Sequence, residues 1–353
     1  MSIITTGGLQ VVGAQAMGGF CSTIHVKSTL SKDALLFDCG ILLRESISAG
    51  WVFITHGHID HVGAAISHAR ARSLSSRPAI YYVPEGIQDA LQAAREAFES
   101  MNGQEIPMDI RVMRPGESVL VGKQNQFRVV AFETSHRVES QGYAVYSTII
   151  TYQKQLLEEY AHLSDKQRGE LRKQGVQITS PAVTEEHLDL VYTGDTTFDG
   201  LLTADNAFIF GADIIILECT YLDGPQEKAM EWQHIHLKDI EDHAGLFRNK
   251  QIVLTHLSAK YVPHHKALNL LQESALPVDF KDRAVVTLKA LGANSDLTPL
   301  TRSEEIVFGQ SLSGEAAAGG RKRQQSNARK CLYVETSRGC RKGDMCQFSH
   351  SHV

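Results

Sequence analysis

In the run Trp51-Val52-Phe53-Ile54-Thr55-His56-Gly57-His58-Ile59-Asp60-His61, an apolar strand-like segment delivers four potential metal ligands into a loop of six residues. His56 and His58 stand two apart, so a locally extended backbone turns both rings to the same side. Asp60 and His61 continue round the turn and can face a second ion. One loop therefore offers half-shells to two metals, a carboxylate able to handle a proton, and a glycine for close packing.

Other strand ends carry the same residue types. Residues 126–133 read as a strand ending at Thr134-Ser135-His136, and 143–151 as another, rich in β-branched residues and tyrosine. Leu188–Tyr192 ends at Thr193-Gly194-Asp195-Thr196-Thr197, residues 213–217 at Glu218-Cys219-Thr220, and Gln251–Leu254 at Thr255-His256. Layered α/β folds place their chemistry at the C-terminal ends of buried strands. Leu9–Gly13 and Ala34–Asp38 read as short strands of a covered sheet. Residues 62–75 and 85–101 read as helices on either side of a strand at 80–83, an order that indicates a layered α/β domain. The charged stretch 153–175 reads as a helical excursion, either a solvated surface helix or a substrate-contacting arm.

Together these residues make a dinuclear donor set. His56, His58 and His136 would hold one ion, Asp60, His61 and His256 the other, with Asp195 as the bridge. Neutral imidazoles with two carboxylates suit zinc, with manganese as the alternative. Two such ions about 4 Å apart activate a shared water and neutralise charge on a phosphorane-like transition state. Asp60 could also orient or deprotonate that water.

His-x-His-x-Asp-His, the strand-end His136, Thr193-Gly194-Asp195-Thr196 and Thr255-His256 resemble the metallo-β-lactamase superfamily. Three further stretches resemble ribonuclease Z, the tRNA 3′-end processing endonuclease of that superfamily, in its short plant-type form. They are Ser140-Gln141-Gly142-Tyr143, Glu218-Cys219-Thr220-Tyr221 followed by His234, and His256-Leu257-Ser258-Ala259-Lys260-Tyr261. The resemblance covers roughly residues 7–295. It implies a four-layer αβ/βα sandwich and a homodimer. It also implies that His234, oriented by Glu218, protonates the departing 3′ oxygen, because an alkoxide leaving group needs a general acid. Asp60, Glu218 and His234 are thus the expected catalytic residues. Asp38 is expected to support the metal loop by hydrogen bonds to its ligands, and His236 is a weaker candidate for a direct role. The chain departs from the family pattern at Leu217, where a histidine is usual, and at Gln233, where a glycine is usual. Residues 153–183 stand where many relatives carry a long basic arm that clamps tRNA. His25, His68, His162, His187, His243, His264 and His265 read as structural or surface residues.

The chain has 353 residues, a hydrophobic content of 42% and no run of 18 apolar residues, which argues against a membrane span. No basic segment precedes an apolar core at the N-terminus, so an uncleaved protein is expected. Cys21, Cys39 and Cys219 are scattered and the other three cysteines cluster in the last 23 residues. That is no disulfide framework and points to a reduced intracellular compartment, nuclear or cytoplasmic. The net charge of −5 hides an asymmetry: residues from Gly319 onward carry +6 and residues 1–318 carry −11. The basic end, more than the body, should attract a polyanion. Residues 301–328 read as a flexible basic linker after a catalytic domain at 1–300.

The last segment, 329–353, contains Cys331, Cys340, Cys346 and His350 at the spacing C-x8-C-x5-C-x3-H. Three thiolates and an imidazole close a tetrahedral structural zinc site, and the spacing matches the CCCH zinc-finger family. Such fingers bind single-stranded RNA by stacking and phosphate contacts. Tyr333 and Phe348 are the available rings, and Arg338, Arg341 and Lys342 the local cations. The reading that results is a zinc-dependent endoribonuclease removing the 3′ trailer of precursor tRNA. Its competitors are a hydrolase of small phosphodiesters or thioesters on the same fold, and an RNA-binding protein with an idle hydrolase domain.

Overall fold

The computed structural model describes residues 4–5, 8–74, 77–123, 126–151, 156–179, 183–262, 265–287 and 297–300. The expected basic linker and zinc finger, with Cys331, Tyr333, Arg338, Cys340, Arg341, Lys342, Cys346, Phe348 and His350, lie outside the described residues. A compact unit spans Met1–Glu304.

Two mixed sheets form the unit's frame. The first runs through β1 (Ile4–Thr5), β2 (Leu9–Gly18), β3 (Cys21–Ser28), β4 (Ala34–Phe37), β5 (Trp51–Phe53), β6 (Ile80–Val83) and β7 (Asp109–Val112) in that order. It is antiparallel as far as β4 and parallel beyond. The second contains β8 (Ser118–Val121), β9 (Phe127–Glu133), β10 (Gln141–Thr151), β11 (Val183–Tyr192), β12 (Ile214–Glu218) and β13 (Gln251–Thr255). The chain then returns to the first sheet with β14 (Leu257–Ser258), which pairs with β2, before β15 (Ala284–Thr287) and β16 (Leu297–Pro299) finish the second.

Strand sequence dictates the layering. β12 is apolar from Ile214 to Leu217, so both of its faces must be covered. Ile214 and Ile216 point to the core between the sheets, with Leu35, Phe37 and Phe53 of the first sheet and Val129 and Tyr143 of the second. Ile215 and Leu217 point outward, into a core closed by helices with Phe198, Leu237, Phe247 and Phe280. A third core covers the outer face of the first sheet, where Leu36, Val52, Ile54 and Tyr81 meet Ile66, Ala69 and Leu91. Three cores between four layers give the αβ/βα sandwich.

The helices differ from the sequence expectation in detail. The stretch 62–75 breaks after α1 (Ile59–Val62) at Gly63-Ala64 and resumes as α2 (Ala65–Ser73). A 3₁₀ turn at Glu85–Ile87 precedes α3 (Gln88–Asn102), which a left-handed Gly103 terminates. Within 153–175 the described residues hold α4 (Asp165–Lys173), started by a capping box between Ser164 and Gln167. Strands β7, β8, β15 and β16 carry no pattern that the sequence reading separated from loops. β7, for instance, is a four-residue strand with alternate residues exposed.

Candidate metal centre

The ends of β5, β9, β11, β12 and β13 meet at one rim, with the loop after β5 at its middle. After β5, Thr55 donates from its backbone and its hydroxyl to the buried Asp38. His58 begins α1, which places Asp60 and His61 on its first turn. The backbone of Cys39 bonds the His61 carbonyl at 2.7 Å, and Ala64 bonds back to Cys39 at 2.8 Å. Gly40 is required here, since a Cβ on it would fall 1.7 Å from the Asp60 carbonyl oxygen and 2.8 Å from the Ser22 amide. The metal loop thus sits on backbone, not on side chains that could yield.

All seven residues expected to hold metal converge. His56, His58, His136 and Asp195 offer one group of donor atoms, and Asp60, His61 and His256 a second. His56 Nε2 lies 3.0 Å from His58 Nδ1, which lies 3.3 Å from His136 Nε2. In the second group His61 Nε2 is 3.3 Å from His256 Nε2, and Asp60 Oδ2 is 3.3 Å from the same His256 atom. Asp195 Oδ2 stands between the groups, 3.3 Å from His61 and His256 and 3.8 Å from His56.

The outward nitrogens define what the inward ones can be. His61 Nδ1 bonds Asp38 at 2.7 Å, and His136 Nδ1 bonds the Gln233 carbonyl at 2.9 Å; both acceptors force that nitrogen to carry the proton. Thr55 donates to Asp38 and Thr220 donates to Glu218, so each hydroxyl accepts from His56 Nδ1 and His256 Nδ1, both at 2.9 Å. Four Nε2 atoms therefore turn toward one another, a set of donor atoms that a cation among them would satisfy. Burial also pushes the pKa of His56, His58 and His136 down, which keeps these rings neutral. Burial works against charge on His61, but the flanking Asp195 and Asp38 carboxylates outweigh it and hold its pKa well above the ordinary value. Asp195 is buried and its Oδ1 has no hydrogen-bond partner. A carboxylate whose Oδ2 stands between two clusters of imidazole nitrogens, and whose Oδ1 has no hydrogen-bond partner among the described residues, fits a bridging ligand, and the donor set as a whole fits two divalent cations.

Beside the two clusters lies a carboxylate–imidazole pair. Glu218, 1% exposed, accepts from His234 Nδ1 at 2.9 Å and from the Thr196 amide at 2.9 Å through one oxygen, while Thr220 occupies the other. Burial disfavours charge on His234, but Glu218 and Asp195 outweigh that and push its pKa up to about 9. The His234 ring lies 5.1 Å from the His136 ring and 5.4 Å from that of His256, so it overlooks both groups.

Asp38 acts as expected, taking hydrogen bonds from Thr55, His61 and Tyr192. His236 caps the helix Leu237–Asp242 by accepting from the Lys238 amide, a local role in helix initiation. Leu217, at the position where the resemblance led to the expectation of a histidine, is buried in the outer helical core. The sequence reading assigned no role to Thr55, Thr220, Tyr192, the Gly19 amide that bonds Asp60 at 2.9 Å, or the Gln233 carbonyl. Thr55 and Thr220 had a signal, since each hydroxyl adjoins a candidate ligand or carboxylate in sequence. The two backbone groups had none, because any residue supplies them.

Comparison with known proteins gives four findings. A family model described as Beta-lactamase superfamily domain matches residues 36–257. tRNase Z TRZ1 of Arabidopsis thaliana is 34% identical over 230 residues, which cover 64% of this chain and 79% of that protein. Ribonuclease Z of Halobacterium salinarum is 28% identical over 251 residues, 65% of this chain and 79% of that one. Among solved structures, unliganded yeast PDE1 superposes with a TM-score of 0.50 at 11% identity, over 80% of this chain and 97% of the other, a likeness of fold alone.

Proposed function

The chain belongs to the metallo-β-lactamase superfamily, and from its tRNase Z relatives we infer that it is a metal-dependent endoribonuclease acting on the 3′ trailer of precursor tRNA. The observation that carries the reading is the set of inward imidazole nitrogens gathered about Asp195 Oδ2, with the Glu218–His234 pair alongside.

His56, His58 and His136 would hold one cation, Asp60, His61 and His256 the second, and Asp195 would bridge them. Two bound cations supply an activated water and neutralise charge on the phosphate. Zinc suits this imidazole-rich set, with manganese as the alternative. Asp60, fixed by the Gly19 amide, orients the water for attack on the phosphorus opposite the leaving oxygen. His234 delivers a proton to the departing 3′ oxygen from Nε2 while Glu218 holds its Nδ1–H. The tRNA product then ends in a 3′ hydroxyl and the trailer begins with the phosphate.

Two finer elements belong to the same proposal. Cys331, Cys340, Cys346 and His350 hold a structural zinc, and the finger so formed grips single-stranded RNA through Tyr333, Arg338, Arg341, Lys342 and Phe348; their spacing and charge support this. The enzyme works as a homodimer in the nucleus or cytoplasm. Among the described residues no helix is long and apolar enough to cross a membrane.

The test incubates the full chain with a 3′-extended precursor tRNA and maps the cut. Cleavage after the discriminator nucleotide by the wild type, lost in Asp60→Ala, is the expected result. An intact precursor together with hydrolysis of a small chromogenic phosphodiester would favour the small-substrate competitor. A chain ending at residue 300 should cleave the same bond with a higher KM, and sedimentation reports the dimer.

A further inference from the structure

Arg137 and Trp232 form a stack at the edge of the metal centre, with the guanidinium carbon 4.7 Å from the centre of the indole ring. Both are anchored by the ligand geometry. Arg137 directly follows His136, and Trp232 ends the helix Gln226–Trp232 just before Gln233, whose carbonyl fixes His136 Nδ1. Both side chains are open to solvent, Trp232 at 43%. Arg137 also lines an open hollow of about 460 Å³, with Pro115, Thr134, His136 and Glu139, a size that accommodates a nucleotide.

Charge gives the stack its meaning. Where Arg114 pairs with Glu85 and Lys260 with Asp223, Arg137 has no carboxylate partner among the described residues. Residues 1–318 carry −11, so an incoming phosphodiester is repelled by the body as a whole and needs local cations close to the reacting bond. A guanidinium held over an indole ring keeps its planar fork of N–H donors, the group that binds phosphate through two parallel hydrogen bonds.

Taking the RNA-cleaving reading as given, we infer that Arg137, held over Trp232, binds an RNA phosphate neighbouring the scissile one. It is a positioning residue for the strand and takes no part in proton transfer.

The experiment compares wild type, Arg137→Ala, Arg137→Lys and Trp232→Leu as metal-loaded full chains, cleaving a 3′-extended precursor tRNA between about 50 and 200 mM salt. Arg137→Ala should raise KM about 10-fold with kcat within about 3-fold of wild type. Loss of one phosphate contact should also lower the slope of log KM against log salt by about 0.7. Arg137→Lys should keep the slope but recover only part of the KM, because an ammonium lacks the fork. Trp232→Leu should raise KM by about 3-fold with the slope retained, the size of a lost cation–π contact. A KM for Arg137→Ala within about 2-fold of wild type, or a raised KM with an unchanged salt slope, would overturn the phosphate contact alone. A wild type that leaves the precursor intact would overturn the RNA-cleaving reading and this contact with it.

Discussion

Asp38, Gln233 and His256 are the three non-glycine residues with positive φ among the described residues, and all three border the metal centre. Left-handed backbone costs an L-residue roughly 1–2 kcal/mol, so strain is concentrated where ligands must be aimed. At Gln233 the strain does not depend on the side chain's chemistry: its carbonyl bonds His136, while its own amide oxygen is buried without a partner. Gln233→Gly should therefore stabilise the protein by about 0.5–1 kcal/mol, read as a higher denaturant midpoint. An unchanged or lower midpoint would mean that the side chain itself contributes. Glu218 has the opposite character, since its two oxygens accept from Thr196, Thr220 and His234 at once. Glu218→Gln cannot meet every donor, and an amide stabilises no charge on His234. It should lower kcat by roughly 10²-fold or more with metal content, measured by atomic absorption, at the wild-type level. Loss of metal in that variant would instead make Glu218 a support of the ligands.

At the scale of elements, the strand–loop junctions carry the chemistry and the outer faces carry a stability cost. His25 on β3 and His68 on α2 are both buried, 1% and 0% exposed. Burial pushes each pKa down to about 4, and neither ring nitrogen of His25 has a hydrogen-bond partner among the described residues, whereas His68 bonds Tyr81 and the Ser46 carbonyl. The unfolded chain binds protons on both histidines below pH 6.5, while the folded protein does not until about pH 4. Between those values the unfolded state holds more protons, so stability rises with pH by up to about 1.4 kcal/mol per unit for each residue and is lost as pH falls. Denaturation midpoints between pH 7 and 4.5 should show a shallower slope in His25→Leu than in wild type. Parallel slopes would assign the loss to other groups. Much of this scale was legible in sequence: β9, β10, β12 and β13 start or end within two residues of the expected positions. Their buried apolar runs admit few other readings. The edge strand β7, half exposed and only four residues long, has too little apolar character to separate it from a loop.

For the molecule as a whole, three apolar cores fix two sheets back to back, and the donor atoms gather at a rim where sequence positions 38 to 256 meet. That rim is assembled only in the folded state, so bound cations must stabilise it by mass action. At a free metal concentration 100-fold above Kd the gain is about 2.7 kcal/mol. Stripping metal with a chelator should lower Tm, and zinc should restore it; a Tm indifferent to both would remove the dinuclear centre. The sequence by itself determined the strand–helix order, the cluster from His56 to His61 and the ligand types at later strand ends. Periodicity and residue chemistry are local properties, and a run of apolar residues ending in a histidine is visible without coordinates. Only the tertiary structure decided which nitrogen of each imidazole faces inward and which hydroxyls and carbonyls hold the outward ones. It also decided that Trp232 meets Arg137 across 95 positions of chain. Those depend on hydrogen bonds between residues far apart in sequence and on backbone groups, and a backbone carbonyl or amide leaves no mark in the order of side chains.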